Sequence, residues 1–469
     1  MTSPLGWPSG ARIGGSGYLL LMVILFSLLA CRPAPTETAS PADTDTGAES
    51  NDTATPAAPA ASLVETMPSL FSVRWQQPDP ATARVEYWLD DAWQSTPAHT
   101  LAPGAAEITA AGLPFQTTAA WRLLVDDEVT AEGTITTGDP PEFTPVPIIL
   151  SSIPEQHAPE LRYLIASISS SGYDEPVWTV IVDRKGRLLW SQRTPEDRVT
   201  LHPRLSHDGH SILIDHNSFW GDLDEGVNST VVRVGLDGVV QETIATPGLH
   251  HPFVELSDGS LAWGAASGKH EDIVIRPPGG EAEVLWRCAD LYKDLGIEAE
   301  CRSNTLWTDA DEQRFLLSLF TTETVIEVDR GTGAATRWFG HLDGSWAFAD
   351  ESDAFYWQHG AQYTPDGTLL VSAKTGPKVE ETVIREYALD EEGEVLTQVW
   401  SFGLGDGIYG PQMGEPWQLS DGHILHNYGS LPRIREANAE GEVVWDIGWA
   451  GFHFLGRSTP LEELYSLLP

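Results

Sequence analysis

Cysteine is scarce in this chain, with three residues among 469. Two of them, Cys288 and Cys301, close one short loop, and no Cys-x-x-Cys motif is present. A structural zinc site needs more ligands than this pair supplies. In an oxidising compartment such a pair forms a disulfide more often than a metal site. We therefore expect a disulfide between these two cysteines and no structural metal.

Positive charge is scarce as well. Lys and Arg total 27 against 68 Asp and Glu, which gives a formal net charge of -41. A surface of this sign repels a polyphosphate backbone, so nucleic-acid binding is excluded as a class of function. The acidity is typical of a well-solvated surface rather than of a dedicated calcium site. An anionic ligand therefore needs a local patch of positive charge on this protein.

Long hydrophobic runs are lacking except over residues 18–29, which follow Arg12 and lead into Cys31. This run is short for a transmembrane helix and is typical of a secretory signal. Its Leu-x-Ala-Cys ending resembles a bacterial lipobox, in which cleavage precedes Cys31 and acyl chains are added to that residue. An ordinary signal peptide that is cut elsewhere is the alternative.

The lipobox interpretation makes residues 1–31 a lipoprotein signal peptide and predicts an exported chain that is attached to a membrane through lipid on Cys31. Arg32 stands where an Asp is associated with retention at the inner membrane, so we expect the outer membrane, at its periplasmic or surface face. Residues 32–62 are rich in Thr, Ala, Pro, Asp and Ser, which predicts a disordered linker.

Residues 63–140 alternate apolar and polar side chains with a period of two around Trp75 and Trp121. This alternation predicts a small β-sandwich with the two tryptophans in its core. Residues 112–117 and 136–138 make the segment similar to a fibronectin type III module. Such modules are usually spacers, and we expect no chemistry in this one.

Residues 145–469 carry a repeated pattern of short strands, and helical periodicity long enough to alternate with them is lacking. The repeats are marked by Asp-Gly turns and by strands that end in tryptophan. The turn glycines are Gly209, Gly259, Gly367 and Gly422, and the tryptophans are Trp190, Trp286, Trp400 and Trp445. Their spacing implies a period of roughly 50 to 55 residues, with one copy near Trp338 that lacks the Asp-Gly turn.

Four short strands in each repeat fit the blade of a propeller. The sequence therefore predicts an all-β protein, in which a six-bladed β-propeller over residues 145–469 is preceded by a small β-sandwich. The last apolar stretch, residues 451–455, is expected to return to the first blade and close the ring, because closure removes an exposed sheet edge.

Two histidines occupy the same phase of this repeat. His251 and His359 each stand eight residues before a turn glycine, whereas Gly414 has that position before Gly422. The innermost strands of a propeller converge at one mouth, so these histidines predict a common site, with Arg302 and Asn304 in the blade between them. The alternatives are hydrogen-bonded structural histidines or a zinc or copper site. No cofactor is expected.

The blade sequences also resemble a known family. Residues 355–371, which contain Gln358-His-Gly-Ala-Gln-Tyr-Thr-Pro-Asp-Gly367, resemble the blade of bacterial arylsulfate sulfotransferases that carries their sulfate-accepting histidine. Residues 302–333 are similar to the His-x-Asn-Ser blade of that family, and His250-His251 resembles a third motif. The resemblance covers residues 145–469.

The resemblance implies a role for each matching residue. His359 corresponds to the nucleophile, His251 to the histidine of the first motif and Asn304 to the asparagine. Arg302 stands where the family has a second histidine, and Phe320 stands about where it has an arginine.

A further departure is that the Phe-Asp-Asn segment after the nucleophile strand is absent. Ser372-Ala-Lys374 has its place, and Lys374 is a candidate substrate-binding residue that replaces the lost arginine; a solvated surface lysine is the alternative.

The implied activity is nucleotide-independent transfer of a sulfuryl group. A neutral imidazole attacks the sulfur of an aryl sulfate donor, and a phenolic acceptor then takes the group from the sulfohistidine. Arg302 supplies fixed positive charge, Asn304 a neutral donor and His251 a proton for the leaving phenolate. The alternative function is a catalytically degenerate propeller that acts as a cell-surface module for binding a ligand or a protein. The oligomeric state stays open.

Overall fold

The structure is a computed structural model, and it describes residues 58–171, 174–221, 224–451 and 453–468. The predicted signal peptide, its Cys31 and the predicted linker up to residue 57 lie outside the described residues. The described chain consists of 34 strands with two short α-helices and five short 3-10 turns, which confirms the all-β prediction. No helix in those ranges combines the length and the apolar character needed to cross a bilayer.

The first eight strands form two antiparallel sheets around a shared core. Their bounds are β1 (Ala60–Val64), β2 (Met67–Gln77), β3 (Ala81–Leu89), β4 (Ala92–Ser95), β5 (His99–Leu101), β6 (Gly104–Ala110), β7 (Thr118–Val125) and β8 (Glu128–Thr136). One sheet has the order β1-β2-β6 and the other β4-β3-β7-β8, with β5 also paired to β3. Trp75 and Trp121, the predicted core anchors, are both buried in the same hydrophobic cluster.

The first of these strands begins earlier than the sequence indicates. Strand β1 starts at Ala60, inside the segment 32–62 that was expected to be linker, and Ala60 lies opposite Arg74 of β2. Small residues such as these contribute no hydrophobic alternation, and they join the sheet through backbone hydrogen bonds that a pattern of side chains does not reveal.

Twenty-six strands follow, numbered here in chain order. They are β9 (Ile148–Ser152), β10 (Tyr163–Ser171), β11 (Asp174–Asp183), β12 (Leu188–Arg193), β13 (Arg204–Leu205), β14 (Ile212–His216), β15 (Thr230–Val234), β16 (Val240–Ala245), β17 (Leu249–Glu255), β18 (Leu261–Ser267), β19 (His270–Arg276), β20 (Glu283–Arg287), β21 (Ser303–Thr308), β22 (Arg314–Leu319), β23 (Thr324–Asp329), β24 (Ala335–Gly340), β25 (Ala347–Phe348), β26 (Tyr356–Tyr363), β27 (Leu369–Lys374), β28 (Thr382–Asp390), β29 (Val395–Phe402), β30 (Glu415–Gln418), β31 (Ile424–Asn427), β32 (Arg433–Ala437), β33 (Val443–Gly448) and β34 (Phe454–Leu461). Helix α1 spans Ser218–Gly221 and helix α2 spans Cys288–Leu295.

These strands form six further sheets, each built on four antiparallel strands. Their orders are β34-β10-β11-β12, β13-β14-β15-β16, β17-β18-β19-β20, β21-β22-β23-β24, β26-β27-β28-β29 with β25 at the outer edge, and β30-β31-β32-β33 with β9 at the outer edge. The C-terminal strand β34 pairs with β10, so Leu461 lies opposite Tyr163 and Leu455 opposite Ile168. The predicted return of the last apolar stretch to the first sheet is thereby confirmed.

The turn glycines lie where the repeat predicts them. Gly209, Gly259, Gly367 and Gly422 each connect the first and second strands of a sheet and have φ values of 72°, 79°, 79° and 76°. This left-handed conformation is open to glycine without steric cost. In the copy that lacks Asp-Gly, Glu312 takes the left-handed conformation instead, at φ 53°.

The repeated tryptophans link neighbouring sheets. Trp190 on β12 is fully buried and its indole Nε1 donates to the carbonyl of Leu236, 2.9 Å away in the next sheet. Trp445 on β33 has the equivalent bond, 3.0 Å long, to the carbonyl of Arg184. A buried indole both forms a hydrogen bond and covers apolar surface. Trp190 and Trp445 therefore each fix one sheet against the next.

Buried histidines make the stability of this fold depend on pH. Burial lowers the pKa to about 3 for His359 and His426, to about 4 for His216, and far below its ordinary value for His202 and His251. In the unfolded chain each imidazole binds a proton near pH 6.5, so on acidification only the unfolded state gains these protons. Their contribution to stability is complete above about pH 6.5 and is lost as the pH falls toward the folded-state pKa.

We expect the free energy of unfolding to fall between about pH 6.5 and 4, by about 1.4 kcal/mol per pH unit for each proton that only the unfolded chain binds. Asp215 and Asp272 oppose this trend, because burial raises the pKa of both carboxyl groups, to about 7 for Asp215. Urea unfolding at a series of pH values measures the slope. His426→Gln should flatten it, whereas His210→Gln, at an exposed position, should not. A free energy that is constant or rises on acidification contradicts the assignment.

Candidate functional site

The first strands of the six sheets lie against one another. Strand β17 contacts β21, β21 contacts β26, β26 contacts β30, and β13 contacts β34. These strands are the free edges of their sheets, so they surround a common centre. Side chains that leave the first strands inward therefore meet there, which is the arrangement that brings residues distant in sequence into one site.

Four of these six strands are irregular where the candidate residues stand. In β17, His250 and His251 lie in a break of register between Leu249 and Phe253. Breaks also occur in β21 between Ser303 and Thr305, in β26 between Tyr356 and Gly360, and in β34 opposite the step from Ala166 to Ile168. Bulges re-aim side chains and are over-represented beside active sites. The sequence pattern contains no signal for them.

His359 is held by its own strand with one ring nitrogen turned away. Its Nδ1 lies 3.3 Å from the carbonyl oxygen of Trp357. A carbonyl only accepts, so the proton is on Nδ1 and Nε2 carries the lone pair. Trp357 has φ 49°, an uncommon conformation for a bulky residue and one that is often retained at functional sites. Among the described residues no group bonds to Nε2 of His359.

The surroundings of His359 keep its imidazole neutral. Burial, together with the charges of Arg457 and Lys374, lowers its pKa to about 3. Phe320 lies almost parallel to the imidazole, with ring centres 5.8 Å apart and 25° between the planes. The ring of Trp357 is 6.3 Å away. A neutral imidazole with an available Nε2 and aromatic neighbours is suited to nucleophilic attack on an aromatic substrate.

His251 and His359 lie in the same electrostatic environment. Burial lowers the pKa of His251 far below its ordinary value, and the charges of His250, Arg457 and His359 add to that effect in this order. The Nδ1 atoms of His251 and His250 are 3.0 Å apart, and the ring of Trp220 is 5.2 Å from that of His251. The structure thus brings together the two histidines that the repeat phase predicts, and it adds a third.

Arg457 is the charge at the centre of this cluster. It is fully buried on β34 and binds backbone carbonyls of three other first strands. Its Nη2 donates to the carbonyl of Asn304 at 2.6 Å and to that of His359, and its Nη1 donates to that of Gly414 at 2.6 Å. The carboxylate of Glu415 is 4.0 Å away. One guanidinium therefore joins strands β34, β21, β26 and the start of β30.

A second buried arginine, Arg204, lies among the first strands. Arg204 donates from Nε to Nε2 of His202 at 2.6 Å and forms an ion pair with Glu415. Its guanidinium lies 5.1 Å from the ring of Trp307 and 5.0 Å from that of Trp417. Arg204 thus lies between two aromatic rings, and Glu415 neutralises its charge.

Arg302 and Asn304 lie near the cluster, but their polar atoms are engaged by neighbouring backbone. Arg302 donates to the carbonyls of His270 at 3.3 Å and Gly268 at 2.5 Å. The amide of Asn304 donates to the carbonyl of Gln358 at 2.7 Å. The sequence assigned substrate contacts to both residues, whereas in this conformation they hold adjacent strands together.

Lys374 ends strand β27 at the same mouth. Its Nζ lies 5.4 Å from the ring centre of Trp357 and 4.9 Å from that of Tyr409. No described carboxylate lies within ion-pair distance of it, which is unusual in a chain with a net charge of -41. A partly buried ammonium between two aromatic rings is a local patch of positive charge of the kind that an anionic ligand requires here.

The two downstream cysteines are joined. Cys288 and Cys301 form a disulfide with a Cα–Cα distance of 6.4 Å, and both are fully buried. The bridge ties the start of helix α2 to the residue before Arg302, so it fixes the loop that leads into β21. Among the described residues no three His, Cys, Asp or Glu side chains are placed to hold a metal ion.

Arg457 and Glu271 are among the residues of this site that were not found by reasoning from the sequence. Arg457 stands in Gly456-Arg-Ser-Thr-Pro of the closing strand, and Glu271 follows His270 on β19. A single charged residue inside the closing stretch was a usable signal for Arg457. Nothing in the sequence marks Glu271, because its contacts with His250 and Ser303 depend on the bulges in β17 and β21.

Removal of Arg457 should lower stability strongly. Arg457→Met leaves the carbonyls of three strands without a donor, and we expect the free energy of unfolding to fall by about 3 to 5 kcal/mol, as for other buried charge partners. Arg457→Lys should lose stability too, because one ammonium cannot reach all three carbonyls. Arg74→Met removes an exposed ion pair with Glu107 and should change little. Urea unfolding compares the three, and equal values for Arg457→Met and Arg74→Met contradict the central role.

Comparisons with known proteins give a fold-level likeness only. No family model matches the chain, and no curated protein matches it. A solved protein from Bacteroides caccae whose function is unknown is similar at 17% identity, over 64% of this chain and 99% of that chain, with a TM-score of 0.43. A putative 6-phosphogluconolactonase from Bacteroides uniformis is 12% identical over 81% of this chain and 99% of that chain, with a TM-score of 0.40.

Virginiamycin B lyase from Staphylococcus aureus is similar at 10% identity, over 64% of this chain and 87% of that chain, with a TM-score of 0.39. Identities and TM-scores this low carry no argument about what the present chain does.

Proposed function

We propose that the six C-terminal sheets are the blades of a six-bladed β-propeller and that the two N-terminal sheets are a fibronectin type III-like β-sandwich. The pairing of β34 with β10 and the mutual contacts of the first strands support the ring. The shared core around Trp75 and Trp121 supports the sandwich. The proposal includes export and a lipid anchor on Cys31, in the outer membrane, as the sequence predicts.

We propose that this protein transfers a sulfuryl group from an aryl sulfate to a phenolic acceptor through a sulfohistidine on His359. The observation that carries the proposal is the state of this imidazole: Nδ1 is committed to the carbonyl of Trp357, Nε2 bears the lone pair, and the ring is neutral. His251, Arg457 and Lys374 surround it with a possible proton donor and two cations.

The proposed reaction has two half-reactions. Nε2 of His359 attacks the sulfur, the bond from sulfur to the aryl oxygen breaks, and its electron pair leaves with the phenolate. In the second half-reaction the acceptor phenol attacks the same sulfur, and Nε2 regains its lone pair. Arg457 contributes a fixed positive field, and Lys374 contacts the sulfuryl oxygens, where negative charge grows in the transition state.

The aromatic rings fit the donor and the acceptor. Phe320 and Trp357 flank His359, while Phe219 and Trp220 lie against His250 at 4.5 Å and 5.3 Å between ring centres. Stacking of this kind favours a flat aromatic group over an aliphatic one. Phe320, which departs from the family pattern, is therefore assigned to the wall of the site.

The test is release of nitrophenolate from nitrophenyl sulfate in the presence of phenol. We expect His359→Ala to abolish release, because it removes the imidazole that forms the sulfohistidine. His341→Gln is the matched control, since His341 stacks on Tyr356 of the same strand but lies at an exposed position, and it should retain activity. Full activity of His359→Ala, or no release with any of a panel of phenolic acceptors, overturns the proposal.

One observation favours the second candidate, a propeller that binds without turnover. Arg302 bonds to two backbone carbonyls and Phe320 replaces an arginine, so Lys374 is left as the cation that can meet the sulfuryl group. For this function we expect calorimetry to detect aryl sulfate binding that Lys374→Met weakens by about tenfold, with no release of phenol. The loss of one hydrogen bond to a charged group is of about this size.

A further inference from the structure

Glu271 is a buried carboxylate without an arginine or lysine partner among the described residues. It lies on β19 and is fully buried. Its Oε2 accepts from the backbone N–H of Ser303 at 2.8 Å, and its Oε1 accepts from the hydroxyl of Ser303. The same Oε2 is 3.1 Å from Nδ1 of His250. A buried carboxylate is costly unless its oxygens are satisfied, and the imidazole of His250 completes the contacts of Oε2.

These contacts determine where the proton of His250 is. Oε2 of Glu271 already accepts one N–H, so it is an acceptor toward His250 as well, and Nδ1 of His250 must donate. Nδ1 of His251 lies 3.0 Å from that same nitrogen. Two nitrogens that share one proton cannot both donate, so Nδ1 of His251 is the acceptor. The proton of neutral His251 is then on Nε2.

The two histidines of the site consequently have opposite tautomers. His359 faces a carbonyl with Nδ1, which leaves its Nε2 bare. His251 faces a protonated nitrogen with Nδ1, which leaves its Nε2 protonated. One ring can attack and the other can donate a proton, and neither role needs a change in the neutral state of the two imidazoles.

We propose that Glu271 and His250 are positioning residues that hold His251 in the Nε2-protonated tautomer and supply the proton that His251 gives to the leaving phenolate. This inference rests on the proposed function. In the proposed relay His250 carries protons on both ring nitrogens, and the carboxylate of Glu271 lies beside its Nδ1. The relay therefore contains one proton more than two neutral imidazoles hold.

The proton transfer balances. When the bond from sulfur to the aryl oxygen breaks, the phenolate takes the proton from Nε2 of His251. The proton on Nδ1 of His250 moves to Nδ1 of His251, and both rings end neutral. The acceptor phenol reverses the sequence as it attacks the sulfohistidine, so no outside acid or base is consumed.

The tautomers can be measured without any turnover. In the full chain labelled with 15N-histidine, long-range 1H–15N spectra distinguish Nδ1-protonated from Nε2-protonated rings. The chain has 14 histidines, and the signals of His251 and His359 are assigned by their loss in His251→Gln and His359→Gln. We expect His251 to be protonated on Nε2 and His359 on Nδ1. A His251 ring that is protonated on Nδ1 overturns the inference, whatever the activity.

The role in proton transfer is measured through the leaving group. Nitrophenolate leaves readily without a proton, whereas phenolate does not. We expect His250→Phe, which retains the ring contacts with Phe219 and Trp220, to reduce kcat for phenyl sulfate by about 100-fold while kcat for nitrophenyl sulfate changes little. Glu271→Gln keeps an oxygen that accepts from Ser303 and His250, so the tautomer of His251 should not change. Its negative charge is lost, so we expect kcat to fall for phenyl sulfate and to change little for nitrophenyl sulfate.

Other outcomes separate the two proposals. Equal losses with both substrates would show a merely structural role and overturn the relay. Absence of transfer in the unaltered protein overturns the proposed function, and the tautomer measurement still decides whether Glu271 and His250 set the proton on His251. If His250→Phe does not fold, the two kcat values of Glu271→Gln and the 1H–15N spectra of the unaltered protein decide the outcome. His341→Gln serves as the control and should leave both rates unchanged.

Discussion

One buried guanidinium sets the geometry on which the rest of this protein depends. Arg457 joins the last strand of the chain to carbonyls on two distant first strands and at the start of a third. A buried charge is costly unless hydrogen bonds compensate it, so these carbonyls stabilise the observed position of the closing strand. Because the carbonyl of His359 is one of the acceptors, the pairing of the closing strand and the position of His359 are coupled.

The bulges around that centre explain how a regular repeat yields an irregular site. A strand with a strict period of two alternates its side chains between faces, and it cannot present adjacent residues such as His250 and His251 toward one place. The breaks in β17, β21, β26 and β34 change the direction of the chain at those residues. The regular strands hold each sheet together, and the interruptions in the first strands set the direction of the clustered side chains.

The repeat could be predicted from the sequence because its signals are local. Turn glycines act within one unit and strand-ending tryptophans recur once in each marked unit, and the structure has them where the spacing predicts. The common phase of His251 and His359 was readable for the same reason. Arg457 was missed because its partners are distant in the sequence. Asn304 and His359 are about 100 residues away or more, and Gly414 precedes the neighbouring first strand. These residues meet when the closing strand pairs with the first sheet. Arg302 and Asn304 were assigned by position in a motif, whereas the direction of their side chains depends on a bulge. The start of strand β1 lies outside the predicted sandwich, residues 63–140, because its first residues are small.

The proposed mechanism requires that Nε2 of His359 becomes sulfated. Intact mass and peptide mapping after brief incubation with nitrophenyl sulfate, without an acceptor, detect this intermediate. We expect one added sulfuryl group on the peptide that contains His359, its absence in His359→Gln and its loss when phenol is added. A protein that binds the donor yet gains no mass, or carries the group on another residue, contradicts it.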